Sequence, residues 1–491
     1  VKRKGGISRR QFFCETGGLG IALAGKLGPL GASPAIRTGK KLPNVLWIMT
    51  DDQRPDSLGC YGAGWARTPN IDRIAERGVL FEHAVAQCPV CMPSRTSILT
   101  GKYCHTLGIL ENVRRRVPES VRPLTAPFIE RGYQTVNIGK LHYAGKRPFS
   151  IARPSPGYGG RAATPFALKA GYDPKKYGVV NLPTPLNVII AGRYPLPEEK
   201  TEPAMCVEKA IDFLQSEAKE PFLLKVSIIA PHTPVLPPRP YDTLIDPSSV
   251  RLPLPSKEEL EGKSRYEREV LREFQGNSTL TPEQIATARA HYYGFVAMVD
   301  HHIGRLLAAV KKRGLMSNTI VAFASDQGVE LGEHGIFMKR NFYEQTVKTP
   351  LILSWPGRLP EGKRVASPVE MVDFLPTLLE LAGLSFEGET AGKSLAKLAQ
   401  GQRKAFREAT FSEIDYGVSQ WPSLRDGGGR RVMVRTQRWK MCCFVNQANR
   451  DGDLYDLKAD PGETKNLFLD KNYSPVISKL SRLLSEWNGK G

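Results

Sequence analysis

Seven residues with ligating or proton-transferring side chains fall just after apolar runs. Asp51 and Asp52 follow Val45–Met49, and Lys140 and His142 follow Gln134–Ile138. His232 follows Phe222–Ile229, and Asp326 and Gln327 follow Ile320–Ala324. Polar residues after a strand are often ordinary turn chemistry, so one such end would mean little. Lys and His are not turn formers, and their recurrence beside acids at four ends points to a single site. A cysteine adds a nucleophile. Pro93 suits the first turn of a helix that runs through Leu99 and stops at Gly101. Cys91 then sits just before a helix N-terminus, where free N–H groups and the dipole favour an anion. Arg95 lies one turn further on, able to fold back as a fixed cation. Cys88-Pro-Val-Cys91 is also a C-x-x-C, open to reading as a redox dithiol or half a zinc site. There is no second C-x-x-C, because Cys442 and Cys443 are adjacent. A buried structural cysteine is the third alternative.

The elements that must position these groups follow from pattern. Runs that are apolar on both faces suit central parallel strands covered by helices. Helical patterns at Asn70–Arg77, Met205–Ser216 and Pro282–Lys312 lie between the runs. The alternation implies an α/β fold, with a large doubly wound, mostly parallel sheet flanked by helices. Ligands of such sheets bind beyond the carboxyl ends of the strands, where the seven residues fall. Further on, a helix Val369–Ala382 closes the main domain and 383–403 reads as a connection. Strands at Ala409–Ile414, Arg431–Arg435 and Trp439–Phe444, with a helix Pro475–Trp487, predict a smaller C-terminal α+β domain. The chain thus divides into a leader (1–35), a catalytic domain (36–400) and a C-terminal part (401–491). Pro148–Pro197 has no periodicity and many Pro and Gly, and is expected to shape substrate access.

Composition sets the frame. The chain has 491 residues, 41% of them hydrophobic, which excludes a largely disordered protein. Forty-six glycines and 38 prolines predict many loops. No stretch approaches the roughly 20 apolar residues of a membrane-spanning helix, so no stable membrane anchor is expected. The net charge of +20 points to an anionic partner: nucleic acid, an anionic surface or an acidic substrate. Part of that charge belongs to the leader. Lys2, Arg3 and Lys4 open it, Ser8-Arg9-Arg10-Gln11-Phe12-Phe13 follows, and an apolar run spans Thr16–Leu30 before Ser33-Pro34-Ala35. Charged head, apolar middle and small-residue exit make an export signal, and the Arg-Arg pair with its weakly apolar middle looks like the twin-arginine type. A basic arm for nucleic acid would not need the apolar run; Lys26 inside that run departs from the pattern. Removal after Ala35 takes six basic residues and Glu15, leaving +15 and seven cysteines.

Cys91-x-Pro93-Ser94-Arg95-x4-Thr100-Gly101 resembles the signature of the type I sulfatases of the alkaline-phosphatase superfamily. Asp51-Asp52-Gln53-Arg54-Pro55-Asp56, Leu58-Gly59-Cys60-Tyr61-Gly62 and Thr68-Pro69-Asn70-Ile71-Asp72 resemble the family's opening. Gly139-Lys140-x-His142, Ala230-Pro231-His232-x-Pro234, Ser325-Asp326-Gln327-Gly328 and Lys339 with Tyr343-Glu344 match later blocks. Leu454-Tyr455-Asp456-Leu457 through Asp460-Pro461 to Asn466-Leu467 matches the close. The blocks run in family order over nearly the whole mature chain.

The resemblance implies an exported sulfuric ester hydrolase whose Cys91 is converted by a maturation enzyme into formylglycine. It implies Ca²⁺ at Asp51, Asp52, Asp326 and Gln327, an all-oxygen set that suits a hard cation. Gln327 stands where Asn or His is commoner, which leaves Mg²⁺ or a looser site open. In the implied mechanism, one hydroxyl of hydrated formylglycine, with Asp326 as base, attacks sulfur. His232 protonates the leaving alcohol, and His142 helps expel sulfate. Lys140 and Lys339 hold the sulfuryl oxygens, and Arg95 stabilises the ionised hydroxyl. Conversion of Cys91 leaves six cysteines, whose connectivity the sequence does not give. His105 could line the pocket or be structural, while adjacent His301 and His302 cannot share a helix face and are expected to be structural. Arg114-Arg115-Arg116 reads as a solvated loop or a rim for a polyanion. The implied substrate is a sulfated carbohydrate, with aryl and choline sulfates still open and nucleic acid no longer expected. A phosphonate or phosphodiester hydrolase of the same superfamily and an unconverted, non-catalytic glycan-binding protein are the alternatives.

Overall fold

A computed structural model describes residues 41–112, 115–154, 175–182, 188–275, 280–418, 429–445 and 451–489. The leader, Arg114 and parts of Pro148–Pro197 lie outside the described residues. Eight strands make the main sheet: β1 (Asn44–Thr50), β2 (Val79–Phe81), β3 (Gln134–Gly139), β4 (Ile151–Arg153), β5 (Phe222–Ser227), β6 (Thr319–Ser325), β7 (Leu351–Ser354) and β8 (Lys363–Val365). Their order is β8-β2-β7-β6-β1-β5-β3-β4. Only β7 runs against the rest. The sheet is mostly parallel, as expected.

Alternation along β1 shows why the strand must be central. Val45, Trp47 and Met49 join a core with Ile98, Leu99, Phe374 and Leu375 on one face. Leu46 and Ile48 join Val207, Ala210, Val299 and Ile303 on the other. Each large apolar side chain so buried contributes roughly 1.5–3 kcal/mol relative to exposure, and a one-residue slip in register would exchange the two faces. The register also aligns the strand ends. Thr50 pairs with Ser325, Met49 with Ser227, and Gly139 with Ser227. Asp51, Asp326 and Lys140 therefore leave the sheet at one edge.

The expected helix Val369–Ala382 is shorter. Val369–Glu370 is a strand paired with Ala84–Val85, Met371–Asp373 is a turn, and the helix is Phe374–Leu381. Pro376 explains the difference: it lacks an N–H and is tolerated only in a helix's first turn, so the helix cannot begin at Val369.

The C-terminal sheet is an antiparallel meander of β9 (Thr410–Asp415), β10 (Arg430–Arg435), β11 (Trp439–Phe444) and β12 (Gly452–Asp456). The last strand carries the Leu454-Tyr455-Asp456 block and was not expected as a strand. One face packs Val432, Val434 and Met441 against Leu480, Leu484 and Trp487 of the helix Ser474–Asn488. The other places Ile414, Tyr416, Met433 and Tyr455 against Val85, Val90, Phe342 and Tyr343. Among the described residues no helix is long and apolar enough to cross a membrane.

Candidate active site

Cys91 opens the helix Cys91–Thr100, with Val90 extended before it. It is the first helical residue, one position further in than the sequence suggested. The helix carries Ser and Thr yet is almost wholly buried, so its polar groups need partners. Ser94 Oγ donates to the Asp326 carbonyl (2.6 Å), Ser97 Oγ to the Lys102 carbonyl (2.6 Å), and Thr100 Oγ1 to the Thr96 carbonyl (2.8 Å). Gly101 ends the helix in the left-handed region (φ 66°), a conformation that glycine adopts freely. The Met92 N–H donates to Asn112 Oδ1 (3.0 Å).

Arg95, 1% exposed, gathers the strand ends. Its Nε donates to Asp326 Oδ2 (2.5 Å), Nη2 to Asp51 Oδ2 (2.9 Å), and Nη1 to Ser227 Oγ (2.9 Å) and the Lys140 carbonyl (3.0 Å). Lys140 Nζ lies 2.5 Å from Asp51 Oδ2. Lys339 Nζ lies 2.6 Å from Asp52 Oδ1 and 2.9 Å from Cys91 Sγ. Gln327 Nε2 reaches Asp52 Oδ1 (2.5 Å) and Cys91 Sγ (3.4 Å). His232 Nε2 stands 3.7 Å from Asp52 and 3.9 Å from Asp51, and its side chain is 26% exposed. His142, in the left-handed region at φ 46°, hydrogen-bonds Cys91. All ten sequence-predicted site residues thus converge. His105 does not join them; it pairs with Glu413 (2.8 Å) beyond the far end of the Cys91 helix. His302 pairs with Glu198 (3.0 Å). Arg115 and Arg116 are exposed. Ser227, Ser94 and Asn112 were missed; Ser227 ends a strand and was findable by the same rule.

Charge balance fixes what the site can do. Burial works to raise the Asp51 carboxyl, but Lys140, Arg95, His232 and Lys339 outweigh it and hold it well below the usual range. Burial prevails at Asp52 over Lys339 and His232 and raises its carboxyl. At Asp326 burial prevails over Arg95 and pushes the carboxyl up to about 8. Burial and Asp51 oppose the Cys91 thiolate, but Lys140, Lys339 and His142 hold the thiol well below its ordinary value. Burial lowers His142, whereas Asp52 and Asp51 raise His232 against burial and Lys339. Arg95, Lys140 and Lys339 set three cations against three carboxylates.

The donor set can hold a cation. Ligand atoms of Asp51, Asp52, Cys91 and His232 lie within 4.8 Å of one another. Gln327 Oε1 is buried without a hydrogen-bond partner, and rotating that amide turns a neutral oxygen toward the two carboxylates. Asp326 turns one carboxylate oxygen to Arg95, and the other accepts from the Asp52 and Gln327 N–H groups.

Fold and site together set a buried cysteine among cations and carboxylates at the carboxyl edge of a mostly parallel, doubly wound sheet. The family model described as Sulfatase matches residues 43–384, and that described as N-sulphoglucosamine sulphohydrolase, C-terminal, matches 332–490. The chain belongs to the sulfatase family, a class of sulfuric ester hydrolases. It is 29% identical to an arylsulfatase of Clostridium perfringens, over 90% of this chain and 93% of that protein. It is 28% identical to an N-acetylglucosamine-6-O-sulfatase of Bacteroides thetaiotaomicron, over 91% and 86% of the two chains. The fold is also similar to a phosphonate monoester hydrolase of Agrobacterium radiobacter (TM-score 0.79, 24% identity, 91% and 96% covered).

Proposed function

We propose that the chain is an exported enzyme that removes sulfate from a sulfated carbohydrate, with Cys91 matured to formylglycine and Ca²⁺ held by Asp51, Asp52, Asp326 and Gln327. The observation that carries this reading is the seat of Cys91. Its Sγ lies at a helix N-terminus, 2.9 Å from Lys339 and 3.4 Å from Asp51, inside a sulfatase signature string. A sulfated-sugar substrate is supported by the Bacteroides relative, named an N-acetylglucosamine-6-O-sulfatase, and by the net charge of +15 left after the leader. Export is supported by the leader's pattern alone. We likewise assign the catalytic chemistry to residues 36–400 and the C-terminal part to 401–491.

When present, formylglycine supplies a hydrated-aldehyde nucleophile for sulfur, and the bound cation supplies Lewis acidity for it and for a sulfuryl oxygen. The chain's own residues do the rest. Lys140 and Lys339 bind sulfuryl oxygens, where charge develops in the transition state. Arg95 holds Asp51 and Asp326 in place and adds positive charge beneath residue 91. Asp326, held by Arg95 at the strand ends, is assigned as the base that takes a proton from the nucleophile. His232 Nδ1 faces the Thr233 carbonyl at 2.5 Å, which leaves Nε2 to give its proton to the departing alcohol. Asp52 and Asp51 favour the imidazolium form that this step uses. His142, kept neutral by burial, takes a proton at residue 91 as sulfate leaves.

The test compares kcat/KM on sulfated oligosaccharides and an aryl sulfate with kcat/KM on a phosphodiester and a phosphonate monoester. Preference for the sulfate esters is the expected result. Preference for either phosphorus ester would replace this reading.

A further inference from the structure

Lys339 sits on backbone that an ordinary loop does not adopt. Met338 (φ 90°) before it and Arg340 (φ 87°) after it are bulky residues in the left-handed region. Such strain persists only where the surroundings over-determine it, and here the restraints converge on Arg340. Its guanidinium makes two N–H bonds to Glu111, Nε to Oε2 at 3.0 Å and Nη2 to Oε1 at 2.9 Å, with both residues buried. Its carbonyl accepts from Tyr266 OH (3.2 Å) and from Tyr416 OH. The two tyrosine rings lie 4.7 Å apart, and the Arg431 guanidinium sits 3.8 Å over Tyr266. Arg431 is tied in turn to Glu267 and to Asp453. Tyr416, Arg431 and Asp453 come from the C-terminal sheet or the turn that follows its first strand.

Glu111 has a second attachment through its neighbour. Asn112 accepts the Met92 N–H at the start of the Cys91 helix. Residues 111 and 112 therefore hold both partners of the 2.9 Å contact between Lys339 Nζ and Cys91 Sγ. A carboxylate gripped by the two-pronged guanidinium fork resists both sliding and rotation, which a single lysine ammonium cannot reproduce.

We propose that the buried Glu111–Arg340 pair is a positioning device that registers the Lys339 ammonium against residue 91, with Tyr416 extending the restraint to the C-terminal sheet. The proposal rests on the reading of Lys339 as a cation for the transferred sulfuryl group. In this proposal Arg340 and Glu111 act on the reaction through Lys339, by fixing the backbone beside it. The C-terminal sheet is then part of the catalytic geometry, although it supplies no catalytic residue.

The test is a mutant cycle on the full-length enzyme with an aryl sulfate. Arg340→Lys and Glu111→Gln are each expected to raise KM several-fold and lower kcat about 10- to 100-fold, the scale of a misplaced catalytic group. Loss of folded enzyme would lower kcat alone. Tyr416→Phe removes one hydroxyl, and shifts both constants the same way by a smaller factor if the bulkier changes prevent folding. Adding Arg340→Lys or Tyr416→Phe to Lys339→Ala should cost less than about twofold more, because groups acting as one unit are not additive. Losses that multiply in that background, or unchanged KM and kcat in the single variants, would overturn the positioning pair. Wild-type turnover by Lys339→Ala alone would instead overturn the role of Lys339, and the pair's role with it.

Discussion

The Nε of Arg95 and the carboxylate of Asp326 meet at 2.5 Å beneath the ends of the central strands, with neither side chain more than 1% exposed. The same guanidinium reaches Asp51, Ser227 and the Lys140 carbonyl. One side chain from the Cys91 helix thus binds the ends of β1, β3, β5 and β6 into one floor.

Arg95→Ala removes the buried counter-charge at Asp326 and leaves Asp51 to Lys140. We expect a loss of about 3–5 kcal/mol in unfolding free energy and at least a 100-fold loss of kcat/KM, read by denaturant titration and steady-state rates. Arg95→Lys should restore less than half of either, because one ammonium cannot reach four acceptors. Near-wild-type stability of Arg95→Ala would contradict the role of the floor.

Removal of divalent cations by exhaustive chelation should abolish turnover, and Ca²⁺ should restore it better than Mg²⁺. Because a ligand that binds only the folded state stabilises by mass action, Ca²⁺ at 100 times its Kd should add about 2.7 kcal/mol. Asp52→Asn should remove that calcium-dependent rise in melting temperature. Full activity after chelation would contradict the metal assignment.

His83 gives a pH signature away from the reacting centre. Burial, helped by Arg435 and Lys348, lowers its imidazole to about 4, against about 6.5 in an unfolded chain. The folded state therefore binds fewer protons between these values. Its stability is whole above about pH 6.5 and falls as the pH drops toward 4. Because the ring is only partly buried, the loss attributable to His83 should be about 1–2 kcal/mol rather than the full shift. Denaturation midpoints measured from pH 4 to 7 should fall less steeply in His83→Gln; identical slopes would exclude His83.

Gly101→Ala should destabilise by about 1–3 kcal/mol. A Cβ there stands 2.3 Å from Thr390 Oγ1 and 2.7 Å from Leu124 Cδ1, on backbone at φ 66°. Calorimetry of the variant checks this; an unchanged melting temperature would show that the helix end can relax.

The central sheet was legible because a strand covered on both faces is apolar throughout, as Val45–Met49 is, and because chemistry collects where such strands stop. The ten candidate residues that meet at the strand ends were legible for that reason or through their signature blocks. The Val369–Ala382 helix was misjudged because apolar periodicity does not register a proline's missing N–H, and Pro376 sets where that helix starts. The strand Gly452–Asp456 was missed because Asp453 and Asp456 look like turn residues. Asp453 is nonetheless buried, paired with Arg431, and no local pattern announces a partner 22 residues away. Glu111 and Arg340 were invisible for the same reason. Their pairing spans 229 positions, and each alone reads as a surface charge.

Formylglycine at position 91 is the central claim, and mass spectrometry of the tryptic peptide Gly78–Arg95 tests it most directly. In protein from its native host, the expected peptide has lost H₂S and gained one oxygen at Cys91. An intact thiol at that position would contradict it.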